Sequence, residues 1–285
     1  MPPDHAETIS DTELQRAEGS ARVVLDSDEH GTRVVDVMQR SPLRLLFPRP
    51  VDTAVPEVVV VNTSGGIAGG DRLEMSVTTR AGATILVSSQ AAEKVYRSLS
   101  EPASVVTRLT AHPGSRLAWL PQETIVFDRA RLSRQTRIEL HGNCEFVALE
   151  CLVLGRSAHG EKFLGGEVTE RWQVSRDGRL IWADAFRIAG DTFGQLREPA
   201  LLANSHALAT LIYSGSDPEG TVERLREVAP SMECQCAVTL VAGLVVVRLA
   251  AGMAWDLKCA LHSVLQELDC RADPTPFGVP KMWSC

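Results

Sequence analysis

The chain carries no surplus of basic charge: Lys and Arg total 29 against 36 Asp and Glu, a net charge of −7 with the signs interspersed. Without a basic stripe there is nothing to neutralise a nucleic-acid backbone, and without a polybasic cluster nothing to hold an anionic membrane surface. Neither nucleic acid nor membrane is therefore an expected partner. No apolar run approaches membrane-spanning length, and the opening M-P-P-D-H-A-E lacks the basic region and apolar core of an export signal, so a cytoplasmic location is expected. Cysteine is sparse and unpatterned. Seven residues, an odd number without framework spacing, point to reduced thiols and not to disulfides. Cys234 and Cys236 beside Met232 suggest a soft metal, but no histidine or second cysteine pair lies nearby to complete four ligands. Buried thiols at a strand start are the expectation there, and Cys144 and Cys151, inside apolar runs, read as core. Lysine is scarce beside arginine, a balance that suits bidentate pairing at protein interfaces.

Glycine, by contrast, is concentrated. After the apolar run Val58 to Val61 comes N-T-S-G-G-I-A-G-G-D-R, with the pairs Gly65-Gly66 and Gly69-Gly70 two residues apart. Glycines gather like this where a strand turns sharply or backbone packs on backbone. A phosphate cradle is the obvious alternative and it fails: a P-loop needs Lys and Ser or Thr after its last glycine, whereas Asp71 and Arg72 follow here. Ile67 and the strand that follows also break the dinucleotide fingerprint. Beyond Asp71 the sequence alternates, with Leu73, Met75 and Val77 on one face and Glu74, Ser76 and Thr78 on the other, so the unit reads as strand, glycine corner, strand.

At 285 residues and 44% hydrophobic the chain can bury a large core as a single β-rich domain. The spacing predicts strands at 83–88, 104–110, 116–120, 124–127, 135–140, 145–154, 168–174 and 179–186, short segments rich in β-branched and aromatic residues between Gly, Pro, Asn or Asp. So many regular strands imply a large antiparallel β-sandwich or a solenoid-like stack. The last third differs. A helix is predicted over 201–213 and another from the N-cap Asp217 to about Ala229; a strand pair follows over 237–250, turning near Gly243. A further helix has Ala254, Leu257, Leu261, Val264, Leu265 and Leu268 on one face. The expected organisation is one β-rich domain: a flexible N-terminus at 1–20, a β body over 22–186, helices and a strand pair over 200–272 packed on it, and a tail at 274–285.

Taken together, the motifs resemble the urease accessory protein family called UreD, or UreH. The resemblance covers most of the chain. It rests on G-G-I-A-G-G-D at Gly65 to Asp71 with Lys94-Val95-Tyr96-Arg97 one strand pair later, on W-L-P-Q-E-T-I-V-F from Trp119, and on Leu154-Gly155-Arg156 through Gly160-Glu161 and Phe163 to Arg171, Trp182 and Asp184. Pro280-Lys281-Met282-Trp283 looks like the family's ending. The resemblance implies a non-catalytic scaffold that binds apo-urease on one side and UreF on the other, with the GTPase UreG held through UreF. It also implies no tightly bound cofactor, with nickel(II) as transient cargo moving through an interior passage.

Three acidic residues fit that picture. Glu150 interrupts an apolar run from Phe146 to Leu154, Asp184 interrupts another from Leu180 to Phe186, and Asp71 ends the glycine motif. A carboxylate in such a setting must pair, protonate or face water, because burying it bare costs several kcal/mol, on the order of ~5. One reading is a buried pair with arginine. The other is that Asp71, Glu150 and Asp184 line a polar passage whose hard oxygen donors give nickel weak stopping points. Arg72 departs from the second acidic residue that the family often has there, which weakens the glycine corner as a relay. Lys94, Tyr96, Arg97 and Trp283 are candidate partner contacts, with packing the alternative for Tyr96 and Trp283. A β-rich hydrolase and an interaction protein unrelated to urease are the competing functions. Gly155-Arg156-Ser157-Ala158-His159 only approximates a nucleophile elbow, and no convergent nucleophile and base stand at credible spacing.

Overall fold

The computed structural model describes residues 16–48, 55–99, 101–156, 159–190, 196, 198, 201–269 and 277–284. The chain opens with a hairpin, β1 (Glu18–Asp28) and β2 (Gly31–Arg40), and a short strand, β3 (Leu43–Leu46). It then winds as a flattened coil, each turn laying one strand in each of two facing sheets. Those strands are β4 (Glu57–Asn62), β5 (Arg72–Thr79), β6 (Thr84–Ser89), β7 (Glu93–Val95), β8 (Ala103–Ala111), β9 (Arg116–Leu120), β10 (Thr124–Val126), β11 (Arg131–Leu140), β12 (Glu145–Leu154) and β13 (Glu167–Arg176). One sheet has the order β14-β13-β11-β8-β5-β1-β2, where β14 is Arg179–Ala189. The other contains β12, β9, β6, β4 and β3, extended beyond β12 by β15 (Ala207–Ser214), β17 (Leu244–Ala251) and β16 (Gln235–Val241), with β7 and β10 beside it.

Of the two architectures that the sequence left open, the solenoid-like stack is the one found. The central pairs β5–β8, β8–β11, β11–β13, β4–β6, β6–β9 and β9–β12 are all parallel, and antiparallel pairing is confined to the two ends of each sheet. Adjacent parallel strands cannot be joined by a tight hairpin. The coil solves this by crossing to the opposite sheet between stacked partners.

Burial follows the pleat. On β5, Leu73, Met75 and Val77 are buried while Glu74 is exposed, the two-residue period read from the sequence. β12 is buried on both faces, which is why its sequence is nearly continuous apolar. Phe146, Ala148, Leu152 and Leu154 join the core between the two sheets. Val147, Leu149, Cys151 and Val153 face a second core under the helices α1 (Pro218–Val228) and α2 (Ala254–Asp269). Asp217 caps α1 by accepting the Gly220 N–H. α2 buries Leu257, Ala260, Leu261, Val264, Leu265 and Leu268, each large side chain contributing roughly 2 kcal/mol of apolar transfer.

Residues 201–213, predicted as a helix, instead form a turn region and the strand β15. Its Ala and Leu content favours helix locally, but it fills the slot between β12 and β17 and pairs with both, and those ladders prevail. β1 starts at Glu18, inside the segment 1–20 expected to be flexible; residues 1–15 and 270–276 lie outside the described residues. No described helix is long and apolar enough to cross a membrane.

Candidate functional site

The glycine corner is a packing device. A Cβ at Gly66 would lie 2.4 Å from Tyr96 Cε2, and one at Gly69 would lie 2.1 Å from Ser98 Oγ and 2.6 Å from the Glu101 carbonyl. The chain crosses at the corner with no room for a side chain, and the Tyr96 hydroxyl closes it by donating to the Gly65 carbonyl at 2.8 Å. Asp71, only 6% exposed, is spent on the same turn: Oδ1 accepts the Ala17 N–H and Oδ2 the Ala68 N–H, both at 2.8 Å. It lines neither of the two cavities described below.

The other two acidic candidates lie in the interior between the sheets. Glu150 on β12 shares the inward face of Phe146 and Leu152 and points at the opposite sheet. There it meets Arg134 on β11, at 2.8 Å between Nη1 and Oε2. Arg134 stands directly beside Glu170 on β13, its parallel-ladder partner, and bonds Glu170 Oε1 through Nε at 2.6 Å and also through Nη2. Thr124 Oγ1 accepts from Arg134 Nη1 at 2.9 Å, while Trp119 Nε1–H and the Thr136 hydroxyl donate to Glu150 Oε1 at 3.2 and 3.3 Å. The guanidinium is thus clamped between two carboxylates, all three groups largely out of water. Burial disfavours the Arg134 charge, but Glu150 and then Glu170 outweigh it and hold its pKa above the ordinary value. Burial pushes the Glu170 carboxyl up against the pull of Arg134.

Two cavities flank this cluster. One, of roughly 300 Å³, runs from a rim at Gly65, Gln90, Ala91 and Lys94 down to Arg134 and Glu150. The other, of roughly 760 Å³, is walled by Glu150, Glu170 and Asp184 and opens past Arg187, Leu201, Gln235 and Arg248. Asp184 on β14 pairs with Arg248 on β17 at 2.8 Å, bridging the two sheets near that mouth. Glu150 and Asp184 therefore share one interior, and Asp71 does not belong to it. Sequence reasoning missed Glu170 and Arg134. On the strand 167–176 the pleat puts Glu170 on the same face as the buried Val168, Trp172 and Val174, so the alternation marks it as inward, but its partner on β11 appears only when the two strands are placed side by side.

The remaining candidates separate by exposure. Lys94 and Arg97 are exposed and Tyr96 is 37% exposed, all at the glycine-corner end. Trp283 is 4% exposed; it packs into the core under α2 and donates its Nε1–H to the Leu120 carbonyl at 3.2 Å. Its surface is used within the chain. Cys144 and Cys151 are buried, and Cys234 and Cys236 are half-buried. Burial, with Cys234 adding to it, pushes the Cys236 thiol up to about 11, which leaves it protonated and poor as a soft ligand. No group of three or more His, Cys, Asp and Glu able to hold a metal occurs among the described residues. Arg156 and Glu161, from the third motif, pair with each other, and Arg156 stacks on Phe127 at 4.3 Å. Ser157 and Ala158, in the middle of the hydrolase-like motif, lie outside the described residues.

Chemically, the interior offers carboxylate and hydroxyl oxygens, hard donors in too small a number to trap a transition metal. Against known proteins, the sequence model of the UreD urease accessory proteins matches residues 17–284. A urease accessory protein UreD from Xanthobacter autotrophicus is 41% identical over 83% of this chain and 81% of its own length. One from Azorhizobium caulinodans is 39% identical over 95% and 97%, and a UreD 3 from a Bradyrhizobium species is 37% identical over 99% of each.

Proposed function

The chain belongs to the UreD family of urease accessory proteins, and from that premise we propose that it is a non-catalytic scaffold for nickel insertion into apo-urease. Nickel(II) is cargo, conveyed through the interior between the two sheets. The scaffold bridges apo-urease to UreF, and through UreF to the GTPase UreG, where GTP hydrolysis resides. The observation that carries this reading is that two cavities with separate mouths converge on Glu150, an inward carboxylate within the apolar run from Phe146 to Leu154. Low-dielectric walls focus the field of that charge and raise the local cation concentration. Asp184 adds a second oxygen donor on the wider side. Lys94, Tyr96 and Arg97 at the narrower mouth are the proposed partner-facing side chains. This role takes place in the cytoplasm.

The test is urease activation in cells that carry the urease operon with this gene deleted, complemented by wild type, Glu150→Gln or Asp184→Asn. Wild type should restore urease activity and its nickel content. The substituted chains should accumulate and copurify with the same partners while urease nickel content falls several-fold. Full nickel loading by both variants would refute the conduit, and active nickel-loaded urease in the deletion strain would refute the maturation role itself.

A further inference from the structure

The narrower cavity is walled by Arg134 and Glu150, and the wider one by Glu150, Glu170 and Asp184. Glu150 is common to both. The guanidinium that holds Glu150 on one side and Glu170 on the other therefore lies across their junction. We infer that Arg134 is an interior gate, a tethered cation that occupies the carboxylates a travelling divalent cation would use and yields them only when it turns away from Glu150. This rests on the conduit reading above and adds to it what sets passage.

The argument is one of charge and space. Arg134 keeps its proton at every physiological pH, so while it spans the junction an incoming cation meets a fixed positive charge that is buried and little screened by water. The oxygens it covers are Glu150 Oε2, Glu170 Oε1 and Thr124 Oγ1, one from each of three strands around the junction. A divalent cation between the two carboxylates would balance their charge without the guanidinium. Arg134 must then carry its charge elsewhere, and the narrower cavity, which it already lines, has the room. Glu93 stands in the wall of that cavity, with Asn62 donating to it at 3.0 Å, and supplies a carboxylate to receive the displaced guanidinium.

The experiment is equilibrium dialysis of the purified full-length chain against nickel(II) alone. Wild type should bind weakly. Arg134→Gln should bind at least ten-fold more tightly, and the added Glu150→Gln should abolish the gain, because uncovering that carboxylate creates the site. Arg134→Lys keeps the charge but lacks the fork that spans both carboxylates, so an intermediate affinity is expected; this variant keeps the question open to refutation if Arg134→Gln does not fold. Affinities of Arg134→Gln or, failing its folding, Arg134→Lys equal to wild type would overturn the gate. The conduit fails separately: if Glu150→Gln and Asp184→Asn both load urease fully, it is wrong whatever Arg134 does. If both lose loading while the Arg134 variants bind nickel as wild type does, the conduit stands and the gate is wrong.

Discussion

Replacing Arg134 with methionine keeps most of the side-chain volume and removes the cation from between Glu150 and Glu170. Glu150, 6% exposed, then keeps, among the described residues, the Trp119 and Thr136 donors, and Glu170 loses the guanidinium that bonds it. Removing one member of a buried charge cluster costs about 3–5 kcal/mol, because the groups left behind are desolvated and unpaired. Unfolding entropy of roughly 2.1 cal/mol/K per residue amounts to about 0.6 kcal/mol/K for this chain, so Tm should fall by about 5–8 °C. The triple variant Arg134→Met, Glu150→Gln, Glu170→Gln leaves no charge in this cluster and should recover most of that loss. Acid should narrow the gap. Burial already pushes the Glu170 carboxyl up, and in Arg134→Met it loses the guanidinium that opposes this, so the folded state binds the extra proton and gains stability as pH falls through the folded pKa. Thermal and urea unfolding followed by circular dichroism at pH 7 and pH 5 would measure this. A deficit below about 1 kcal/mol at pH 7, or one that grows on acidification, would refute the claim that opposed buried charges hold this region.

The corner makes a paired prediction. Gly65→Ala should cost about 1 kcal/mol, since the backbone there has φ +75° but open space, whereas Gly69→Ala meets the Glu101 carbonyl and should abolish soluble expression or cost several-fold more, on the order of ~4 kcal/mol. Trp283→Ala should destabilise by about 3–5 kcal/mol in urea unfolding, through the lost packing of a buried indole. An effect on partner capture with no change in stability would show instead that Trp283 serves a partner. Asp71→Ala strands the Ala17 and Ala68 N–H groups and should cost about 2–3 kcal/mol with nickel affinity in dialysis unchanged.

Much of the fold was legible because it is local. The strands at 116–120 and 145–154 and the helix after Asp217 coincide with their predicted spans, since alternation, caps and glycine breaks act within a few residues. The coil's repeat was not legible. Stacked partners are 29 residues apart from Glu57 to Leu86, 32 from Leu86 to Ala118 and 29 from Ala118 to Val147. A period that drifts, without a recurring motif, leaves no internal similarity to detect. The site was half legible: Glu150 stood out inside a continuous apolar run, while Arg134 and Glu170 sit in alternating strands, where only the pleat, by placing them with Leu132 and Ile138 and with Val168 and Trp172, shows that they face inward.

By itself the sequence determined that the chain is β-rich, that its glycines mark a corner between two strands, and that Glu150 must pair, protonate or face water. Each follows from sterics, pleat or desolvation, which operate without knowledge of distant residues. Only the tertiary structure decided that residues 207–214 are a strand, that Asp71 ties a turn while Asp184 bridges two sheets, and that Arg134 holds Glu150 against Glu170. The pleat tells each strand which residues face inward. Which coil a strand rests upon, and so which acid meets which base, is set by stacking between segments about thirty residues apart.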